Sequence, residues 1–497
     1  MFADQTNWAS VAYQLHRTEL YRRLWLVGLL GAALVTALAM VRIGPTPLPI
    51  GGIFFLATLG LIFYQPRWGL YFILFFSLIG DSVLINWYPF VKNLSSRESL
   101  AYVHDALIFS PLELYLVIVL VAWLANALVR RRLSFHFSPL VWPTALFTLF
   151  LVTGILWGLG TGGNVNIALW ESRAIFYLPL MLVLTNQLID EPRQVSHLIW
   201  VIMGAIFVKG VVGVIVFLVR YRASLAGVEA ITEHSAAIHM NALFIFVLAS
   251  WFFGASAPKR FLTLLMVPAV AITYIATQRR AAFAAMGIML GLMGLMFYKR
   301  HKYLFWALVP PLAILGLLYL AVFWNSNSVL AIGAQTVKSI IAPDEGSRDE
   351  SSNLYRDLEN INVGYTIHLS PLLGVGFGQK FHIIVPMPDI SFFVWWEYIV
   401  HNSVFWIWMK SGLFGFMTML FLMGFSLMRG GNLVWRVHDP DLQTVVFTMT
   451  AYLFMHYMYA YVDMSWDIQS MLYVGTALGL IECSARMKGP KPNFSLH

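Results

Sequence analysis

Apolar runs of about twenty residues recur along most of this chain, each the length an α-helix needs to cross the hydrocarbon core of a bilayer. Hydrocarbon offers no hydrogen-bond partners, so each run must satisfy its own backbone N–H and C=O groups. A helix does this within one segment; barrel strands need only about half this length. Composition leaves no soluble alternative. Of the 497 residues, 59% are hydrophobic and 11% charged, too little polar surface to cover a globule of this size. The expected fold class is therefore all-α, a polytopic integral membrane protein with about fourteen transmembrane helices.

The expected spans are roughly 24–42, 48–65, 70–87, 111–129, 140–159, 174–189, 197–219, 236–254, 261–277, 281–298, 303–324, 403–428, 442–461 and 469–483. Three regions follow: transmembrane helices over 1–324, one large polar loop over 325–402, and further helices with a tail over 403–497. Arg22, Arg23, Arg67, Arg130 to Arg132, Arg193, Lys259, Arg260, Lys299, Arg300, Lys302, Arg429, Arg436, Arg486 and Lys488 all fall in loops on one side of this count. The positive-inside rule makes that side cytoplasmic, with both termini inside. The first run follows Arg22 and Arg23 and contains Ala37-Leu38-Ala39, a pattern shared with signal peptides. Its apolar stretch is longer than a usual signal core, which favours a retained span. The loop of 325–402 is too polar to cross and too long to be a mere connector.

The net charge of +8 is spread over helix ends and short loops, with no basic domain, so it reads as a topology signal and not a nucleic-acid surface. The one cysteine, Cys483, allows no intramolecular disulfide and no metal site built on several thiolates.

Arg173, Arg220, Arg222, Arg279 and Arg280 break the charge pattern by lying at the outer helix ends. They could snorkel to head groups or pair with Glu171, Glu229 and Glu233. A cluster of guanidinium groups at head-group depth also suits a lipid-linked diphosphate, which it would hold through planar, charge-assisted hydrogen bonds. Lys209 and Lys410 lie within spans, where an ammonium needs a partner; Asp81, Glu113, Asp463 and Asp467 are available.

In the long loop, Pro371, Gly374, Gly376 and Gly378 form a turn-rich stretch in which backbone can approach a ligand, or fold into a tight re-entrant turn. His401 and Asn402 open the next span, and nine residues later comes Gly412-Leu413-Phe414-Gly415. This run resembles the signature of the O-antigen ligase and polymerase superfamily, a histidine and a small polar residue followed after nine positions by Gly-x-x-Gly. Arg356 ahead of the Pro371 to Gly376 run is similar to the same family's loop pattern. Arg280-Ala281-Ala282 is similar to its Ser-Arg-Gly-Ala turn, with Arg279 in place of serine, so either arginine could be the counterpart.

The resemblance implies metal-independent, inverting glycosyl transfer at the periplasmic face of a bacterial inner membrane, without a cofactor. The implied partners are an undecaprenyl-diphosphate-linked glycan donor, a glycan or lipid acceptor, the bilayer and other polysaccharide-assembly proteins. The residues fit that chemistry. Arginines (Arg173, Arg220, Arg222, Arg279, Arg280 and Arg356) would stabilise a departing diphosphate, and His401 would take the acceptor proton. His368 is a second candidate. Tyr355, Tyr365, Phe392, Phe393, Trp395 and Trp396 could stack on sugars or anchor the interface. Family motifs do not separate a polymerase from a ligase; chain length and about two extra spans favour a polymerase by analogy. The rival expectation is a transporter or flippase for an anionic lipid or solute, motivated by Lys209, Lys410, Asp81 and Glu113 at membrane depth.

Overall fold

A computed structural model describes residues 48–85, 88–99, 101–129, 135–225, 228, 230–326, 328–342, 344, 348–388 and 395–487, with Val27, Gly28, Gly31, Leu34 and Leu38. Arg22, Arg23, Ala37, Ala39, Arg130 to Arg132, Glu229, Phe392, Phe393 and Lys488 lie outside the described residues, as does most of the first expected span.

The protein is all-helical where described. In chain order the helices are α1 (Leu48–Tyr64), α2 (Arg67–Ile79), α3 (Pro111–Val129), α4 (Val141–Gly160), α5 (Val165–Arg173), α6 (Tyr177–Leu188), α7 (Pro192–Val219) and α8 (Ala236–Phe253). They continue as α9 (Ala257–Ala276), α10 (Arg280–Arg300), α11 (Lys302–Phe323), α12 (Ile332–Ile341), α13 (Arg348–Leu369), α14 (Ser403–Val434), α15 (Pro440–Val462) and α16 (Ile468–Arg486). Nine helical stretches among the described residues are long and apolar enough to cross a membrane; α1 and α2 are shorter apolar helices.

The core is built from the C-terminal helices. α16 packs along α6, and α15 lies against α8 and α14. Small residues permit the close approach expected of helices in lipid: a side chain at Gly475 would meet the Leu178 carbonyl, and one at Gly479 would meet Thr185. α11 buries none of its residues fully and packs only against α10 and α12 among the described helices with appreciable contact.

Two helices end differently from the sequence expectation, both near the site. α2 stops at Ile79, well before 87; Gly80 is extended, and its carbonyl accepts hydrogen bonds from Lys209 Nζ (3.0 Å) and Gln469 Nε2 (2.7 Å). Arg173 closes the short α5, where it was expected to open the following span. Asn164 starts that helix as its N-cap, accepting from the N–H groups of Asn166 and Ile167.

The loop of 325–402 contains α12, α13 and an extended segment that re-enters the bundle. Asn362 of α13 holds that segment by accepting from the Ile384 and Val385 N–H groups and donating to the Val385 carbonyl. The glycine run then sits between α4 and a break in α14. Gly412 has φ 69° and ψ −173° inside the helix, a conformation in which a Cβ would also lie 2.1 Å from the Leu372 carbonyl oxygen. The break frees the Met409 carbonyl to accept from Val375 N (2.7 Å), and Leu413 N donates to Pro371 and Leu372 instead. Gly376, with φ 89°, lies against the α4 backbone, where a Cβ would come within 2.2 Å of Gly158 Cα. These glycines therefore bring backbone against backbone within the protein. Irregular chain at this depth is tolerated because its polar groups are paired there.

Candidate active site

His401 lies two residues before α14, and Asn402 caps that helix through Oδ1, which accepts from Phe405 N at 3.0 Å. The cap fixes the entry of the chain and so the position of the histidine beside it. His401 Nδ1 lies 3.1 and 3.2 Å from the two carboxylate oxygens of Glu359, whose Oε2 also accepts the His401 backbone N–H at 2.8 Å. Glu359 is buried on α13, and Tyr355, one turn earlier, sets its ring edge-on to the imidazole with centroids 5.6 Å apart. The imidazole itself keeps 31% of its side chain accessible.

Arg356, on the same helix, reaches towards Asp463 at the end of α15, with Nη2 3.9 Å from Oδ2. Asp463 also faces His234 Nδ1 at 3.3 Å and accepts from the Tyr459 hydroxyl at 3.2 Å. Ser403 ties this turn to the start of α14: its hydroxyl donates to the Asp463 carbonyl and accepts from Ser465 N. Arg279, in the turn before α10, is within electrostatic range of Tyr459. Arg356 and His401 are thus gathered around Asp463 from α13 and the start of α14, and Arg279 acts on the same Tyr459 that donates to Asp463.

Burial opposes charge on His401, but the hydrogen bond and charge of Glu359, together with Asp463, outweigh it and raise its pKa above the ordinary histidine value. Burial likewise disfavours the Asp463 carboxylate. The His234 hydrogen bond and the charges of His234, Arg356 and His401 overcome that and hold its pKa below the usual carboxylate range. Both Arg279 Nε and Arg356 Nε are buried with no hydrogen-bond partner. An unsatisfied guanidinium N–H at a cleft is costly unless something anionic or polar comes to accept it.

The remaining expected residues are placed elsewhere. Arg280 donates from Nη1 to the Ser339 carbonyl of α12 at 2.9 Å, fastening the loop to α10. Arg173 lies 3.5 Å from Glu113 and donates to the Ile108 carbonyl and, at 3.5 Å, to Asn93 Oδ1. Its acidic partner is Glu113, and not Glu171 as one sequence reading had it. Arg220 is exposed, its guanidinium 5.6 Å from the Tyr221 ring centroid, and Arg222 is exposed in a left-handed turn. Neither joins the Asp463 cluster. His368 lies exposed in the last turn of α13.

Both lysines expected within spans have structural partners. Lys410 is fully buried, 2.8 Å from Glu171, whose second oxygen accepts from Gly378 N at 2.7 Å. None of the four acids considered from sequence fills that place. Lys209 is 3.5 Å from Asp81. The Gly374 to Gly378 stretch packs against protein, held by this ion pair and by the backbone bonds to α4 and α14.

Sequence reasoning missed Glu359, His234 and Tyr459 as site residues and considered Asp463 only as a lysine partner. Tyr355 and Glu359, four residues apart on one face of a polar helix, were the available signal. Among the described residues no group of three or more His, Cys, Asp or Glu side chains could hold a metal ion.

Residues 261–420 match the family model for O-antigen ligase. The match runs from α9 through the Arg279 turn, α12 and α13 to the broken first half of α14, and so includes His401, Glu359 and both arginines with unpartnered Nε groups. No curated protein matches the chain.

Proposed function

We propose that this member of the O-antigen ligase-related superfamily, a bacterial inner-membrane protein acting in glycosyl transfer of the ligase or polymerase type on lipid-linked glycans, uses His401 as the base and Arg279 with Arg356 as the diphosphate ligands. The donor is an undecaprenyl-diphosphate-linked glycan, and the site faces the periplasm. The observation that carries this reading is a carboxylate-oriented histidine that shares Asp463 with Arg356, a guanidinium whose buried Nε–H donor is unpartnered, as is that of Arg279.

His401 keeps Nδ1 on Glu359, which leaves Nε2 for the acceptor hydroxyl. The acceptor oxygen attacks the anomeric carbon from the face opposite the diphosphate, its proton passes to Nε2, and the sugar–phosphate bond breaks with its electron pair leaving on the diphosphate. The anomeric configuration inverts. Arg279 and Arg356 stabilise the charge that develops on the leaving oxygen, so cations of the protein itself serve where other enzymes use a metal. Glu359 stabilises the imidazolium until its proton is lost to solvent. Polymerisation of repeat units is preferred over transfer of finished chains, on chain length.

The test is a deletion strain complemented with wild type, His401→Ala or Arg356→Ala, with membrane levels checked by blot. Wild type should restore long glycan, while the variants, made at normal levels, accumulate lipid-linked single repeats. Accumulation of long unligated chains would make the protein a ligase. Full complementation by His401→Ala would overturn the chemistry and revive the transporter alternative.

A further inference from the structure

A cavity of about 370 Å³ lies beside the Asp463 cluster on the same face, within the volume range of about 300–1,000 Å³ that holds small ligands. We propose that it is the subsite for the sugar of the acceptor, an assignment that rests on the glycosyl-transfer reading above. Val400 and Ser403, which flank His401, form one wall, and the turn that follows Asp463 forms another. The cavity therefore adjoins the base without containing the two arginines assigned to the diphosphate.

Its chemistry suits a saccharide. Trp170, Trp406 and Trp466 line it. The indole N–H groups of Trp406 and Trp466 are spent on the Tyr398 and Ser403 carbonyls, each at 3.0 Å, so these rings offer the cavity carbon surface, against which the C–H faces of a sugar can pack. Polar groups are fixed between them. Asp467 accepts from Ser470 N and Oγ, and Glu233 accepts from Ser82 N and Gln469 Nε2. A carboxylate has about four lone-pair sites, so both retain capacity for sugar hydroxyl donors. Lys209, through Gly80, Asp81 and Gln469, buttresses this floor from below.

The cations at the rim are already occupied. Arg173 is held by Glu113, the Ile108 carbonyl and Asn93, and Lys92 pairs with Glu98. A diphosphate would have to displace these partners, whereas Arg279 and Arg356 have buried donors to give. The division is thus between an arginine side for the leaving group and a tryptophan side for the incoming sugar, whose wall includes Val400, the residue before His401.

The experiment uses full-length protein in nanodiscs, with the organism's lipid-linked repeat as donor. The acceptor probe is the repeat-unit oligosaccharide released from the polymer by mild acid, which carries no diphosphate. Trp170→Ala removes one wall, and Ser82→Phe fills the space without touching that wall. Both should raise the acceptor KM about tenfold, the scale of losing one aromatic face, with donor KM and kcat near wild type. An unchanged acceptor KM in both variants, or a rise confined to the donor KM, would overturn the assignment. If wild type itself forms no glycosidic product, the function fails and not merely the subsite.

Discussion

Lys410 and Arg356 both lie on the segment that matches the O-antigen ligase family, yet their surroundings differ. Lys410 is fully buried in α14 and sits 2.8 Å from a carboxylate that is itself bonded to the Gly378 amide. Arg356 meets Asp463 only at 3.9 Å and keeps a buried Nε without a partner. Burial of a charge is costly, and a protein normally offsets that cost with complete pairing. The Lys410–Glu171 pair follows this rule and holds the re-entrant loop in place. Arg356 departs from it beside an accessible histidine, where an anionic substrate would complete the set. How fully a charge is satisfied thus separates scaffold from site on this face.

The largest expected effect on folding comes from breaking the scaffold pair. Lys410→Met leaves Glu171 buried and unpaired and should cost about 3–5 kcal/mol, read as a loss of monodisperse protein and of Tm in detergent. Adding Glu171→Gln, which can still accept from Gly378, should recover part of it. Arg279→Ala is the opposite case: stability within about 0.5 kcal/mol of wild type, but turnover reduced about 10²–10³-fold. Should Arg279→Ala unfold the protein and Lys410→Met spare it, the distinction between the two regions collapses. Between these lies Gly412→Ala, which adds a side chain at positive φ against the Leu372 carbonyl. It should cost about 1–3 kcal/mol, measured by thermal unfolding, and lower activity only in proportion to folded protein.

Much of the helical framework was legible in the sequence because lipid imposes a length and polarity on each span. The run at 111–129 coincides with α3, and 236–254 with α8 to within a residue. The end of α2 was not legible, since Gly80 stops the helix to offer its carbonyl to Lys209 and Gln469, residues distant in the chain. His401 could be found from the spacing to Gly412, a local pattern. Glu359 was marked only by its spacing of four from Tyr355, because a polar helix within a loop gives no apolar stripe to betray which side faces inward. Glu171 was considered for Arg173, two residues away, when its partner is Lys410, 239 positions along; only packing makes that choice.

The dyad of His401 and Glu359 is tested most directly by the pH dependence of kcat/KM for glycosyl transfer in nanodiscs. A base must be deprotonated to act, and Glu359 with Asp463 raises the His401 pKa, so activity should rise with pH along an acid limb centred above about 6.5. In Glu359→Gln the charge that favours the imidazolium is gone; the limb should move to lower pH while the plateau falls. A Glu359→Gln profile with the limb unmoved, or a wild-type rate independent of pH through this range, would contradict His401 as the base.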